Sequence, residues 1–195
     1  FIESFHKHDL NKFILKNKES SNIISLEERE YLKEKRFITA CVDPKWMPFS
    51  AIVDGKYVGV DADYMDVFEK KLGIPINIYN TQSRSQSIGF AKAKKCDFLS
   101  MAVQTEKRSE YLNFTQPYFY FTNVLVTKIN KRIGTDLKYL KNEKIAIIRD
   151  YAEAELIKKK YPNLEVIEVE NMKDGLDKVE NQDVYGFVEN AVVID

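Results

Sequence analysis

Arg108 lies in the stretch QTEKRSEYLNFTQPYFYF, residues 104–121, between a strand-like segment and the rings of Phe114, Tyr118, Phe119, Tyr120 and Phe121. A guanidinium keeps its charge when removed from water and offers a planar fork that fits a carboxylate. On spacing alone, a surface ion pair with Glu106 or Glu110 is the favoured reading. A second candidate is the loop Asp43-Pro44-Lys45-Trp46-Met47-Pro48-Phe49, which holds the only tryptophan between two prolines. The prolines stiffen it. The indole could stack on a ligand or its cation, or it could seal a sheet edge. A third is Arg149-Asp150-Tyr151-Ala152-Glu153, where amides at a helix start can hold an anion. Asp150 reads there first as the helix cap. Glu189-Asn190 closes a late strand and could set a polar group opposite Arg108.

These residues bind rather than react. The sequence holds no Gly-x-Ser-x-Gly, no phosphate-binding glycine loop, no histidine beside a nucleophile and no distinct carboxylate dyad. No catalysis is expected within the chain.

The elements that must position them follow from periodicity. Residues 1–35 read as a helical lead-in, with Ser25-Leu26-Glu27-Glu28 as a capping box. Residues 37–42 form an apolar run of strand length, as a strand covered on both faces requires. Asp54-Gly55 predicts a hairpin between 50–53 and 57–60. Helix 61–72 stops at Gly73, and strand 75–79, helix 83–95 and strand 97–103 complete an α/β block. Residues 122–127 are an extended connector. A second block follows: strand 144–148, helix 152–160, strand 164–169, helix 172–179 and strand 184–188. Two such blocks predict lobes at 36–124 and 125–195 with a ligand cleft at the strand carboxyl ends.

Composition narrows the partners. Thirty basic residues balance thirty acidic ones in 195 residues, so no global field recruits nucleic acid or an anionic membrane. Lys158-Lys159-Lys160 reads as a solvated helix face. The longest apolar run falls short of the roughly 20 residues of a membrane span, and no signal peptide is visible. Two histidines, His6 and His8, and no Cys-x-x-Cys argue against a structural zinc site; no metal or cofactor is expected. Cys41 falls late in one predicted strand and Cys96 at the start of another. In parallel neighbours that offset exceeds the roughly 7 Å limit for a disulfide, so two buried free thiols are expected.

Taken together, VDPKWMPF, DGKYVGVDADYMDVFEKKLGI and CDFLSMAVQTEKRSEYLNFTQPY resemble the bacterial extracellular solute-binding domains of family 3, the polar amino-acid-binding Venus-flytrap proteins. The likeness runs from about Ser25 to the end. It implies a two-lobed, type II periplasmic-binding fold. It also implies that Arg108 holds a ligand carboxylate, which reverses the reading from spacing. The implied ligand set is Asp43, Trp46, Met101, Arg108, Tyr151, Ala152 and Asn190. Three departures stand out. The segment 97–108 is one residue shorter than in transport proteins and resembles the version in sensor kinases. Asp150 replaces a glycine, and Asn190 an aspartate that would hold an ammonium, leaving the ligand an amino acid or another small carboxylate or amine.

The lead-in ISLEEREYLKEKRF resembles the linker before such domains in membrane-anchored sensors. The resemblance therefore implies a periplasmic sensing domain of a receptor of the histidine-kinase or diguanylate-cyclase type. The alternatives are the binding protein of an amino-acid importer and the regulatory module of a lytic transglycosylase. Asp195 precedes the family's second crossover and closing helices, so a longer protein is expected. A complete chain would expose an apolar face of the first lobe and favour a homodimer.

Overall fold

The computed structural model describes residues 24–131, 136–140 and 142–195. The first part of the expected lead-in, with His6 and His8, lies outside the described residues. Helix α1 (Leu26–Lys35) opens on the expected capping box. The Ser25 hydroxyl accepts from the Glu28 amide at 3.1 Å, and the Glu28 carboxylate accepts from the Ser25 amide at 2.7 Å. Its last turn is tied to the first lobe by an ion pair between Lys35 and Asp97.

The first sheet has the order β5-β1-β6, all parallel, with β1 (Ile38–Cys41) between β5 (Ile76–Ile78) and β6 (Phe98–Leu99). Successive side chains of a strand face opposite ways. Ala40 and Val42 accordingly pack with Met65 of α2 (Val60–Leu72), whereas Cys41 packs with Ile88 and Ala91 of α3 (Arg84–Lys92). A central strand covered by helices on both faces has to be mainly apolar, and the one polar residue here, Thr39, donates its hydroxyl to Asp97 at 2.8 Å. The hairpin forms as expected. Strands β3 (Ser50–Val53) and β4 (Lys56–Val58) turn at Asp54-Gly55, where both φ angles are positive, and β2 (Lys45–Trp46) adds to their edge.

The second sheet has the order β7-β10-β8-β9. Strands β8 (Lys144–Ile148), β9 (Glu165–Val169) and β10 (Gly186–Asn190) are parallel; β7 (Asn123–Val126), the expected connector, runs antiparallel to β10. The same alternation recurs. Ile145 and Ile147 pack against Ala154 of α5 (Ala152–Lys160), and Ala146 against Val179 of α6 (Met172–Glu180). Burying each isoleucine or valine side chain contributes about 1.5–3 kcal/mol.

The expected free thiols are not observed. Cys41 and Cys96 form a disulfide, with Cα atoms 5.8 Å apart. Cys96 is not in a strand: α3 ends at Lys92, β6 begins at Phe98, and the intervening turn lays Cys96 over the face from which Cys41 projects. A register argument holds only between residues in paired strands, so it did not apply to this cysteine. The strand expected over 97–103 shrinks to Phe98–Leu99 because the chain leaves the sheet at Ser100, toward the cleft.

Candidate functional site

Each sheet delivers side chains to the cleft from the carboxyl ends of its parallel strands. From β1 the chain runs through Val42 into Asp43. The Asp43 carboxylate accepts from the Lys45 amide at 3.0 Å and from the Tyr151 hydroxyl of the other lobe at 3.1 Å. Trp46 is buried in β2, its ring 4.6 Å from Phe49, 5.4 Å from Phe121 and 6.3 Å from Tyr151. Its indole N–H donates across the cleft to Glu189 Oε1 at 3.3 Å. The tryptophan thus packs on its own lobe and reaches the other.

Past β6, the loop at Ser100 and Met101 is held from below. Arg84, in the first turn of α3, donates to the Ser100 and Met101 carbonyls at 3.3 and 3.4 Å. The Tyr118 hydroxyl accepts from the Met101 amide at 3.1 Å. Met101 sits at φ 46°, a left-handed conformation that non-glycine residues seldom hold without support.

Arg108 lies in the short helix α4 (Glu106–Ser109), whose cap Thr105 accepts from the Arg108 amide at 3.2 Å. Its side chain is 6% exposed. Nη1 donates to the Val103 carbonyl in its own lobe, and Nη2 to the Asp150 carbonyl in the other, each at 2.8 Å. The surface pair favoured by spacing is not formed: Glu106 instead pairs with Lys159 of α5. Burial, and then the charge of Arg84, lower the Arg108 pKa.

In the second lobe, Asp150 has φ 63°, which explains how it replaces a glycine: Asp tolerates the left-handed region better than most residues. It is not the helix cap. Tyr151 is, with no side-chain cap bond, and Ala152 and Glu153 of the first turn of α5 line the cleft. Ala152 is buried there.

Arg84, Met101 and Arg108 from one lobe and Tyr151, Ala152 and Glu189 from the other enclose a cavity of about 30 Å³. That is room for one or two waters. Asp43, Trp46 and Glu153 also line it. Arg149 and Asp150 of the third candidate loop stay out of it, and of the ligand set implied by the resemblance only Asn190 does. Its Oδ1 turns away to accept from the Val192 amide at 2.8 Å, capping α7 (Ala191–Ile194). Glu189 takes the place beside the cleft. Arg84 was not foreseen, because an arginine in the first turn of a helix reads as solvated until the loop above it is placed. Most of the aromatic run lines an adjoining, mainly apolar groove of about 850 Å³ against Leu156 and Tyr161, which shares Met101, Phe121 and Glu153 with the cavity.

The family model for bacterial extracellular solute-binding proteins, family 3, matches residues 38–185. The chain is 20% identical over 169 residues to the virulence sensor protein BvgS of Bordetella pertussis, an alignment covering 86% of this chain but 14% of BvgS. It is 27% identical over 143 residues to a probable histidine-binding protein of Campylobacter jejuni, covering 67% of this chain and 54% of that protein. In three dimensions it matches the periplasmic VFT2 domain of B. pertussis BvgS with a TM-score of 0.75 at 19% identity, over 87% of this chain and 73% of that domain.

Proposed function

Because the chain belongs to the bacterial extracellular solute-binding proteins of family 3, we propose that it is the periplasmic ligand-sensing domain of a transmembrane signalling receptor of the histidine-kinase or diguanylate-cyclase type. A small carboxylate-bearing metabolite, such as an amino acid, binds between the lobes. The observation that carries this reading is the Arg108 guanidinium, buried at the cleft and donating to a carbonyl of each lobe.

The chemistry follows from that position. A ligand carboxylate competing for Nη1 and Nη2 replaces two neutral carbonyl acceptors with one anionic, bidentate acceptor, so the guanidinium gains an ion pair in place of ion–dipole bonds. The amides opening α5 supply donors from the opposite wall. Trp46–Glu189, Tyr151–Asp43 and Arg108–Asp150 cross the cleft as hydrogen bonds. Each involves a charged side chain, and such bonds contribute about 1.5–3 kcal/mol net. Closure therefore rests on several kcal/mol, a gap that differential ligand affinity can shift. The Cys41–Cys96 disulfide suits an oxidising compartment such as the periplasm. The sensor name of the BvgS relatives supports the receptor reading.

The second reading is the binding protein of an amino-acid importer. It is favoured by the likeness to the probable histidine-binding protein, over half of whose length aligns here. A membrane span encoded beyond Asp195 would select the receptor. In either case a thermal-shift screen of amino acids and small carboxylates finds the ligand, since preferential binding to the native state raises the melting point. Calorimetry with the best hit should then show no measurable binding to Arg108→Ala; wild-type affinity in that variant would reject the assignment.

A further inference from the structure

We propose that Glu189, not Asn190, receives a cationic nitrogen of the ligand, so that the cleft selects dipolar molecules bearing both a carboxylate and a protonated amine or guanidine. This rests on the reading that Arg108 holds a carboxylate in the same cavity.

Glu189 is 3% exposed at the carboxyl end of β10 and lines the cavity. Its two oxygens differ. Oε1 accepts from the Asn190 amide at 2.8 Å and from the Trp46 indole at 3.3 Å, whereas Oε2 is buried with no hydrogen-bond partner. A buried carboxylate oxygen without a donor is costly, and buried polar groups are nearly always satisfied. The charges around it point to what is missing. Asp43 and Glu153 line the same cavity and add to the negative pole, while Arg84 and Arg108 line it as the positive one. The described residues contain no group of three or more His, Cys, Asp or Glu side chains able to hold a metal ion, so the fitting cation is organic.

Asn190 cannot take this role as placed. Its Oδ1 is committed to the Val192 amide, and its free Nδ2 is a donor that repels an ammonium. The function expected at position 190 has moved one residue back along the strand. The Trp46–Glu189 hydrogen bond is long, so parting the lobes to admit a ligand frees Oε1 at little cost.

The protonation behaviour agrees. Burial pushes the Glu189 carboxyl above its ordinary value, the bonds from the Asn190 amide and the Trp46 indole oppose it, and the charges of Glu153 and Asp43 add a smaller push upward. Tyr151, facing it, is pushed up by burial and then by Asp43 and Glu189, and stays a neutral phenol. A bound cation favours the ionised carboxylate. Binding therefore releases a proton wherever the free protein holds one, and affinity rises with pH through that range.

The test pairs each common L-amino acid with its deaminated 2-hydroxy acid in a thermal-shift panel on the protein, followed by calorimetry in two buffers of different ionisation enthalpy. An amino acid should bind roughly tenfold or more tightly than its hydroxy acid, with proton release. Glu189→Gln, which keeps an acceptor for Trp46 and Asn190, should lose that preference and the proton release. If this variant does not fold, the wild-type comparison still decides the matter. The inference is overturned if the hydroxy acids bind as tightly as the amino acids, if no amine-bearing acid raises the melting point, or if Glu189→Gln keeps wild-type selectivity. Full binding of both probes by Arg108→Ala would instead remove the carboxylate reading beneath it.

Discussion

Asp61 sits at the second position of α2, fully buried, and depends on hydroxyl groups for its hydrogen bonds. Tyr57 donates to its Oδ2, and Tyr118 to its Oδ1 at 3.4 Å. Burial dominates these bonds and holds the carboxyl above its ordinary value. A raised folded-state pKa means that the group's contribution to stability is complete below about pH 4 and is lost as pH rises through the folded value. The melting temperature should therefore fall as pH rises above about 4 toward the folded value, and Asp61→Asn should flatten that fall. Glu189 shifts in the same direction, so part of the slope should survive in the variant. An equal slope in both proteins would show that Asp61 titrates normally. Arg108 could be singled out from its neighbours in the sequence; the burial of Arg84 could not, because its acceptors are the carbonyls of Ser100 and Met101, 16 and 17 residues away.

Among the elements, the junction between the small hairpin and α2 is the most constrained. Gly59 caps α2 at φ 109°, and a Cβ there would stand 2.6 Å from the Phe49 carbonyl oxygen and 2.8 Å from that of Pro48. Neither neighbour is a side chain that could swing aside. Gly59→Ala should cost about 2 kcal/mol or more, read as a lowered denaturation midpoint at unchanged slope. The same change pushes on the loop carrying Trp46, so ligand affinity should fall with it. The helices and strands themselves were legible because their signals are local. The Ser25 capping box, the turn signal at Asp54-Gly55 and the stop at Gly73, whose amide bonds to the Glu69 carbonyl at 2.8 Å, all lie within a few residues of what they control. The ends of β6 and α3 were not legible, since the sheet is left for the cleft where Arg84 and Tyr118 hold the loop.

At the scale of the molecule, the disulfide and the cross-lobe bonds decide stability and movement. Cys41 and Cys96 are 55 residues apart in sequence. On the chain-entropy account, opening a loop of that size costs about 4 kcal/mol. Replacing both cysteines by alanine should lower the melting temperature by roughly 10 °C. Arg108 and the cross-lobe contacts are untouched by that change, so the variant should still bind ligand at temperatures where it is folded. A melting point equal to wild type would show that the crosslink does not constrain the unfolded chain.

The sequence alone determined the two α/β blocks, the placing of loops at strand carboxyl ends and the arginine suited to a carboxylate. Each of these rests on periodicity, capping or the chemistry of one side chain. Only the tertiary structure decided which groups meet. Arg108 reaches a carbonyl 42 residues away, Tyr151 a carboxylate 108 away and Trp46 a carboxylate 143 away. The pairing of Cys41 with Cys96, and the turning of Glu189 rather than Asn190 toward the cleft, belong to the same class. Such contacts depend on where chain segments distant in sequence come to lie once the sheets have packed, and no local pattern records that distance.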